Sequence, residues 1–140
     1  MLMSGRRGQV STEYLIIVGF VVFLVISILG LGLFYSNSIS DRIKLDQAGN
    51  YAKKIISTAE SVFFQGEPSR VTINAYLPSG VQEIKVEGKS IVFNISTSSG
   101  GEVLSYESKV PLEGDLTKTE GVKKIQIIAL EDKVKLIEGQ

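Results

Sequence analysis

The stretch that decides the fold is a run of 21 uncharged residues, Leu15–Tyr35, which reads LIIVGFVVFLVISILGLGLFY. As an α-helix it would cover about 31 Å, the thickness of a bilayer core. Its apolar side chains would lie on every face, and burying its 16 Ile, Leu, Val and Phe side chains is worth roughly 24–48 kcal/mol as an upper bound. A domain of this size could not cover such a helix, so we expect it to lie in lipid or among copies of itself. Gly30 and Gly32 either allow close helix packing or weaken the helix at that point.

Basic residues flank the apolar run unequally. Arg6 and Arg7 precede it, whereas the other 13 basic residues follow it and lie mostly in the predicted folded domain. Because cytoplasmic flanks carry an excess of Lys and Arg, we expect a cytoplasmic N-terminus and an external C-terminal domain. A secretory signal has a shorter apolar region, of about 7–15 residues. Cleavage after the run, at Ser36-Asn37-Ser38, stays open as an alternative.

A short polar motif connects the basic residues to the apolar run. It reads Gln9-Val10-Ser11-Thr12-Glu13-Tyr14 and ends directly against Leu15. In this region the chain resembles the archaeal type IV pilin-like proteins that carry a class III signal peptide. Their pattern is a short basic leader, then Gln-x-Ser-x-Glu-Tyr, then an apolar helix. Gln9, Ser11, Glu13 and Tyr14 fill the four defined positions of that pattern.

The resemblance implies a pathway as well as a fold. A dedicated membrane aspartic peptidase, the prepilin peptidase, would cut between Gly8 and Gln9 and remove residues 1–8 as a leader. Residues 9–35 would first hold the precursor in the membrane as a single span and then assemble the filament. The implied partners are other copies of the chain or related pilins, a pilus assembly ATPase and a membrane platform protein. The expected product is a cell-surface filament in which the chain is a major or minor pilin, with adhesion as the expected role.

Glu13 is the only charged residue between Arg7 and Asp41. After cleavage it would be the fifth residue of the mature chain, in the first turns of the helix, where the helix dipole favours an anion. In pilin-like assemblies such a glutamate meets the N-terminal amine of a neighbouring subunit, so the resemblance implies that Glu13 takes part in subunit assembly. Taken alone, without the motif, Glu13 is more typical of an interfacial carboxylate that marks the end of a membrane span.

The residues after the apolar run predict an amphipathic continuation of the helix over 36–65. Apolar residues recur at spacings of three and four, the pattern of a helix with one buried face. These residues are Leu45, Ala48, Ala52, Ile55, Ala59 and Val62. Gly66 and Pro68 then end the helix. We expect either one continuous helix or a separate core helix after a break at residues 36–38.

Residues 66–140 predict a small antiparallel β domain, because the apolar period changes from helical to two. Turn residues separate six predicted strands: Val71–Leu77, Val81–Glu87, Ser90–Thr97, Val103–Val110, Val122–Leu130 and Val134–Ile137. Residues 111–121 are predicted to form a loop. The expected fold class is therefore α+β, a long N-terminal helix followed by a sheet or small sandwich. The resemblance implies the same lollipop layout.

The β domain offers few candidate sites. Asn94-Ile95-Ser96 is an acceptor sequence for N-glycosylation that is either used or present by chance. Glu113, Asp115 and Glu120 share one loop, but they lack the spacing of a calcium loop, so we interpret them as solvated.

Composition restricts the function further. The chain has no Cys and no His, which removes the residues that most nucleophilic and metal sites use. Its 15 basic residues match 15 acidic ones, so nothing indicates a nucleic-acid partner. We therefore expect no enzymatic activity, cofactor or metal. The alternative to a pilin is a single-span, membrane-anchored extracytoplasmic binding or envelope protein that does not polymerise.

Overall fold

The structure, a computed structural model, consists of one long helix followed by seven strands in two sheets. It describes the backbone of residues 6–139 and the side chains of residues 11–139. This arrangement confirms the predicted α+β class. Most of the predicted leader, residues 1–8, and the side chain of Gln9 lie outside the described part.

The helix α1 spans Arg6–Gln65 and continues without a break through residues 36–38, so the expectation of one helix is confirmed. It ends at a glycine: Gly66 has a φ of 83°, and its N–H donates to the carbonyl oxygen of Phe63 at 3.0 Å. Glycine adopts this left-handed conformation at little cost, which suits the residue after a helix. The chain divides into two compact units, Met1–Ile39 and Ser40–Gln140, each described by itself below.

The second unit contains two sheets. Sheet A has the strand order β1-β6-β7-β5, and sheet B has the order β2-β3-β4. The strands are β1 (Arg70–Leu77), β2 (Val81–Glu87), β3 (Ser90–Thr97), β4 (Gly100–Glu107), β5 (Leu112–Glu113), β6 (Gly121–Ala129) and β7 (Val134–Gly139). Neighbouring strands are antiparallel except for β5 and β7, which pair in parallel over two residues.

The bounds of β1, β6 and β7 differ from the prediction by one or two residues, and two further strands differ more. The strand β4 begins three residues earlier than expected, because Thr97 pairs with Gly100 and only Ser98 and Ser99 remain in the turn. Gly100 and Gly101, which lie between the predicted strands, are thus residues of β4. The short strand β5, Leu112–Glu113, lies in the predicted loop, and two residues are too few to show an alternating pattern.

The core lies between α1 and the inner faces of both sheets. The predicted stripe of α1 is buried: Ala48, Ala52, Ile55, Ala59 and Val62 are all fully covered, and Leu45 packs at the margin. The main residues that the sheets contribute are Ile91, Phe93 and Ile95 from β3, Ile125 and Ile127 from β6, and Val134 and Leu136 from β7. Both sheets and α1 thus contribute side chains to one core.

Polar contacts fasten residues 41–60 of α1 to the β domain. The carboxylate of Asp41 accepts hydrogen bonds from the hydroxyl and the backbone N–H of Ser98, the latter at 3.0 Å. These two bonds hold the pKa of Asp41 below its usual value. The other contacts join Lys54 Nζ to the Asn74 carbonyl oxygen at 2.5 Å and Glu60 Oε1 to the Lys109 N–H at 2.9 Å. They hold the helix on β1 and on the segment that follows β4.

Candidate membrane-spanning segment and surface sites

The first unit is dominated by the exposed apolar surface of α1. Eighteen large apolar residues between Tyr14 and Tyr35 are exposed, with exposed fractions from 39% at Val18 to 75% at Phe34. By length and composition the helix can cross a membrane, and none of its most apolar window is buried. An apolar surface of this extent without a charged residue is unfavourable in water. It requires lipid or another apolar partner outside this chain.

The polar interruptions of this surface are compatible with an apolar environment. The hydroxyl of Ser27 donates to the carbonyl oxygen of Phe23 at 2.8 Å, so it needs no partner outside the helix. A Cβ placed on Gly19, Gly30 or Gly32 would meet nothing within 4 Å. The described chain therefore makes no close contact at these glycines, and both interpretations of Gly30 and Gly32 stay open.

The motif residues lie at the start of α1. Ser11, Glu13 and Tyr14 are exposed, and the backbone at the Gly8–Gln9 bond is helical. The side chain of Gln9 lies outside the described residues. Glu13 thus presents an accessible carboxylate directly before the apolar surface.

The sequon asparagine, Asn94, lies in β3, the central strand of sheet B. Its side chain is on the outer face and half-buried, and its cross-strand neighbours are Glu83 in β2 and Val103 in β4. Any modification of Asn94 would therefore project from this face of the domain.

The three acidic residues of the predicted loop are not brought together. Glu113 lies in β5 and pairs with Lys133 at 2.8 Å, and this contact lowers the pKa of the Glu113 carboxyl. Glu120 accepts a hydrogen bond from the Tyr76 hydroxyl at 3.2 Å. Among the described residues, no group of three or more acidic side chains could hold a metal ion.

The structure reveals a polar cluster that the sequence analysis missed, and we call it the C-terminal clasp: Thr117, Thr119, Lys123 and Glu138. Lys123 Nζ lies 3.0 Å from Glu138 Oε1, and their side chains are only 14% and 10% exposed. The Thr117 N–H and hydroxyl donate to Glu138 at 2.7 and 2.5 Å. Lys123 also donates to the hydroxyls of Thr117 and Thr119, at 2.9 and 2.5 Å. The clasp connects β7 to β6 and to the loop that precedes β6.

The electrostatics of the clasp favour the ionised carboxylate. Burial raises the pKa of Glu138, but the hydrogen bonds from Thr117 and Lys123 outweigh burial and leave the pKa below its usual value. A signal for the clasp was present in the sequence. Alternation through Ile125 and Ile127 places Lys123 on the inner face of β6, where an unpaired ammonium would be unfavourable.

A second polar group that lies in the core is the hydroxyl of Tyr51. The ring is 2% exposed and packs edge-on against Phe93, with centroids 6.1 Å apart. Its oxygen has no hydrogen-bond partner among the described residues. Burial, and secondarily the Glu138 carboxylate, raises the pKa of the phenol. This hydroxyl is an uncompensated polar atom in the core.

Comparisons with known proteins were made at three levels. The chain matches no protein-family model, no curated protein and no solved structure.

Proposed function

We propose that this protein is a major or minor subunit of a type IV pilus-like filament on an archaeal surface, with adhesion as its expected role. It would be made as a single-pass membrane precursor and processed by a prepilin peptidase between Gly8 and Gln9. The observation that carries the proposal is one ordered arrangement: two arginines, the motif from Gln9 to Tyr14, and a helix whose apolar side chains are exposed in the described part of the chain. A permanent anchor needs such a helix but has no need of the motif.

Removal of the leader would have a direct physical effect. Arg6 and Arg7 favour a cytoplasmic position for the N-terminus and oppose withdrawal of the helix from the bilayer. Cleavage would leave a single α-amine and change the formal side-chain charge from zero to −2, because 13 basic residues would then face 15 acidic ones. The processed helix could enter an apolar filament core at a lower electrostatic cost.

Glu13 would define the register of assembly. A carboxylate and an α-amine about 4 Å apart attract by about 4 kcal/mol at an effective dielectric constant near 20, before desolvation is counted. Desolvation offsets much of this attraction, so the pair would select one alignment of neighbouring helices more than it would add net stability. The exposure of Glu13 beside the apolar surface supports this role.

Substitution of Glu13 tests the proposal. Glu13→Gln and Glu13→Val should insert into the membrane normally and yield few or no filaments when cells are sheared. The matched control is Glu131→Gln, which removes the same charge from an exposed turn between β6 and β7. The control should assemble normally. Normal filament yields from both Glu13 variants would contradict the proposed pairing.

The alternative is a single-span anchored extracytoplasmic binding or envelope protein. The apolar helix by itself favours it equally, because a permanent anchor presents the same surface. Such a protein would keep Arg6 and Arg7 and would be recovered only in the membrane fraction.

A further inference from the structure

The outer faces of the two sheets carry opposite charge. Strand alternation and exposure place three basic residues and one acidic residue on the outer face of sheet A, which we call the basic face: Arg70, Lys124, Lys135 and Glu113. They place three acidic residues and one basic residue on the outer face of sheet B, which we call the acidic face: Glu83, Glu87, Glu107 and Lys85. The formal charges of these two sets of strand residues are +2 and −2. Beside the basic face, Lys133 contacts Glu113 and Glu120 accepts a hydrogen bond from Tyr76, so these two flanking charges cancel each other.

Each face also exposes a large apolar side chain. Val122 on the basic face is 70% exposed and Val103 on the acidic face is 67% exposed. Tyr76, which is 43% exposed, is the cross-strand neighbour of Val122 and enlarges the apolar patch there. Apolar contact surrounded by charged residues is the usual composition of a protein interface.

We propose that the acidic face of one copy docks on the basic face of the next copy, so that the β domains of neighbouring subunits pack head to tail. The occupant of each face is thus a second copy of this chain. Because the two faces belong to different sheets and share no residue, a copy can bind two neighbours at once. Such a contact uses two different surfaces and does not close on itself unless the rotation happens to complete a ring, so it extends into an open assembly.

The inference rests on the proposed function, in which α1 gathers the copies. Charge complementarity between the faces orients the contact and disfavours pairing of like faces more than it adds affinity. Affinity would come chiefly from α1, because tethered β domains meet at a high effective concentration.

The position of Asn94 gives the inference a second consequence. Asn94 lies in the acidic face between Glu83 and Val103. A glycan there would cover the face and prevent docking. We therefore expect the peptide that contains Asn94 to have its unmodified mass in assembled protein, and a glycan on most filament copies would overturn the proposal.

Cysteine cross-linking tests the contact directly, since the chain has no native Cys. Val103→Cys and Val122→Cys are made in the full chain, separately and together, and cells are treated with a short bis-maleimide reagent. Both sites are exposed, so these substitutions leave the core intact. The double variant should give a ladder of covalent multimers, two co-expressed single variants should give dimers, and each single variant alone should give neither. Equal cross-linking by a single variant alone would overturn head-to-tail packing.

Charge reversal provides an independent readout on the double-cysteine background. Lys124→Glu with Lys135→Glu, or Glu83→Lys with Glu107→Lys, should each reduce the ladder about tenfold or more, because like charges would then face each other. Combining both reversals should restore the ladder. The matched control reverses Arg42 and Lys53, exposed residues of α1 outside both faces, and should leave the ladder unchanged.

Failure of the inference and failure of the proposed function give different results. Filaments of the unmodified chain without a ladder in the double-cysteine variant would overturn the docking alone. Absence of filaments from the unmodified chain would overturn the proposed function, and a ladder formed in membranes would then still support the docking.

Discussion

Removal of the Lys123 ammonium should destabilise the β domain by about 2–4 kcal/mol at neutral pH, and Lys123→Met is the variant of choice. The methionine keeps the length of the apolar stem, so the loss is mainly electrostatic. Glu138, whose side chain is 10% exposed in the structure, would keep the hydrogen bonds from Thr117 but lose its cation at 3.0 Å. The cost therefore comes from a carboxylate that stays desolvated and loses its strongest partner.

The double variant Lys123→Met/Glu138→Leu gives the complementary prediction. Removing both charges should cost less than about 1 kcal/mol, because neither side chain then has to be desolvated in charged form. The N–H of Thr117 can bond to water, since that residue is exposed. The stability losses of the two single variants together should thus clearly exceed the loss in the double variant.

The assay is urea denaturation of the full chain in detergent micelles, with unfolding monitored by the near-UV circular dichroism of the tyrosines. It is repeated at pH 7 and in steps toward pH 3. The pKa of Glu138 is lower in the folded state than its ordinary value of 4.5, so its contribution is complete above about pH 4.5 and is lost as the pH falls through the folded-state pKa. The Glu138→Leu variant should lack this part of the acid sensitivity. The reasoning would be refuted if the stability losses of the two single variants added up to the loss in the double variant and if Glu138→Leu left the pH dependence of stability unchanged.

Three further predictions concern single positions. Gly114→Ala should destabilise the fold by about 3 kcal/mol, because φ is 146° and a Cβ would overlap the carbonyl oxygen of Leu136. Gly100→Ala, with φ of 131° and open space around the Cβ, should cost only about 1–2 kcal/mol. Equal shifts of the two variants in thermal melts would contradict the overlap. Tyr51→Phe should raise stability by about 1 kcal/mol, since it removes a buried hydroxyl without a described partner; a lower urea midpoint would show that the hydroxyl is stabilising. Gly30→Ala should leave membrane insertion unchanged and reduce filament yield if neighbouring helices pack closely there; an unchanged yield would favour the helix-weakening interpretation.

The elements that depend on local periodicity could be predicted from the sequence. The stripe from Leu45 to Val62 indicated the buried face of α1, although it omitted Tyr51 and Ile56, which are buried beside it. The bounds of β2 and β3 were predicted correctly because alternating residues lie between strong turn signals. The exposure of residues 15–35 could also be predicted, since a domain of this size could not cover an apolar helix of that length.

Features that depend on long-range pairing could not be predicted. The neighbour of β1 is β6, which places Arg70 beside Ile128, and nothing in the local pattern specifies that choice. The C-terminal clasp and the opposite charges of the two outer faces arise only after the strands have been assigned to sheets. The motif at Gln9–Tyr14 was identified from the sequence alone, and the structure contributes the exposure of Glu13 and of the apolar surface behind it.

The most direct test of the central claim is the N-terminus of the mature protein. Intact-mass measurement and N-terminal sequencing should be applied to protein taken from the surface of its native host. The proposal predicts a chain that begins at Gln9 and lacks Arg6 and Arg7. A surface protein that retains Arg6 and Arg7 would contradict it.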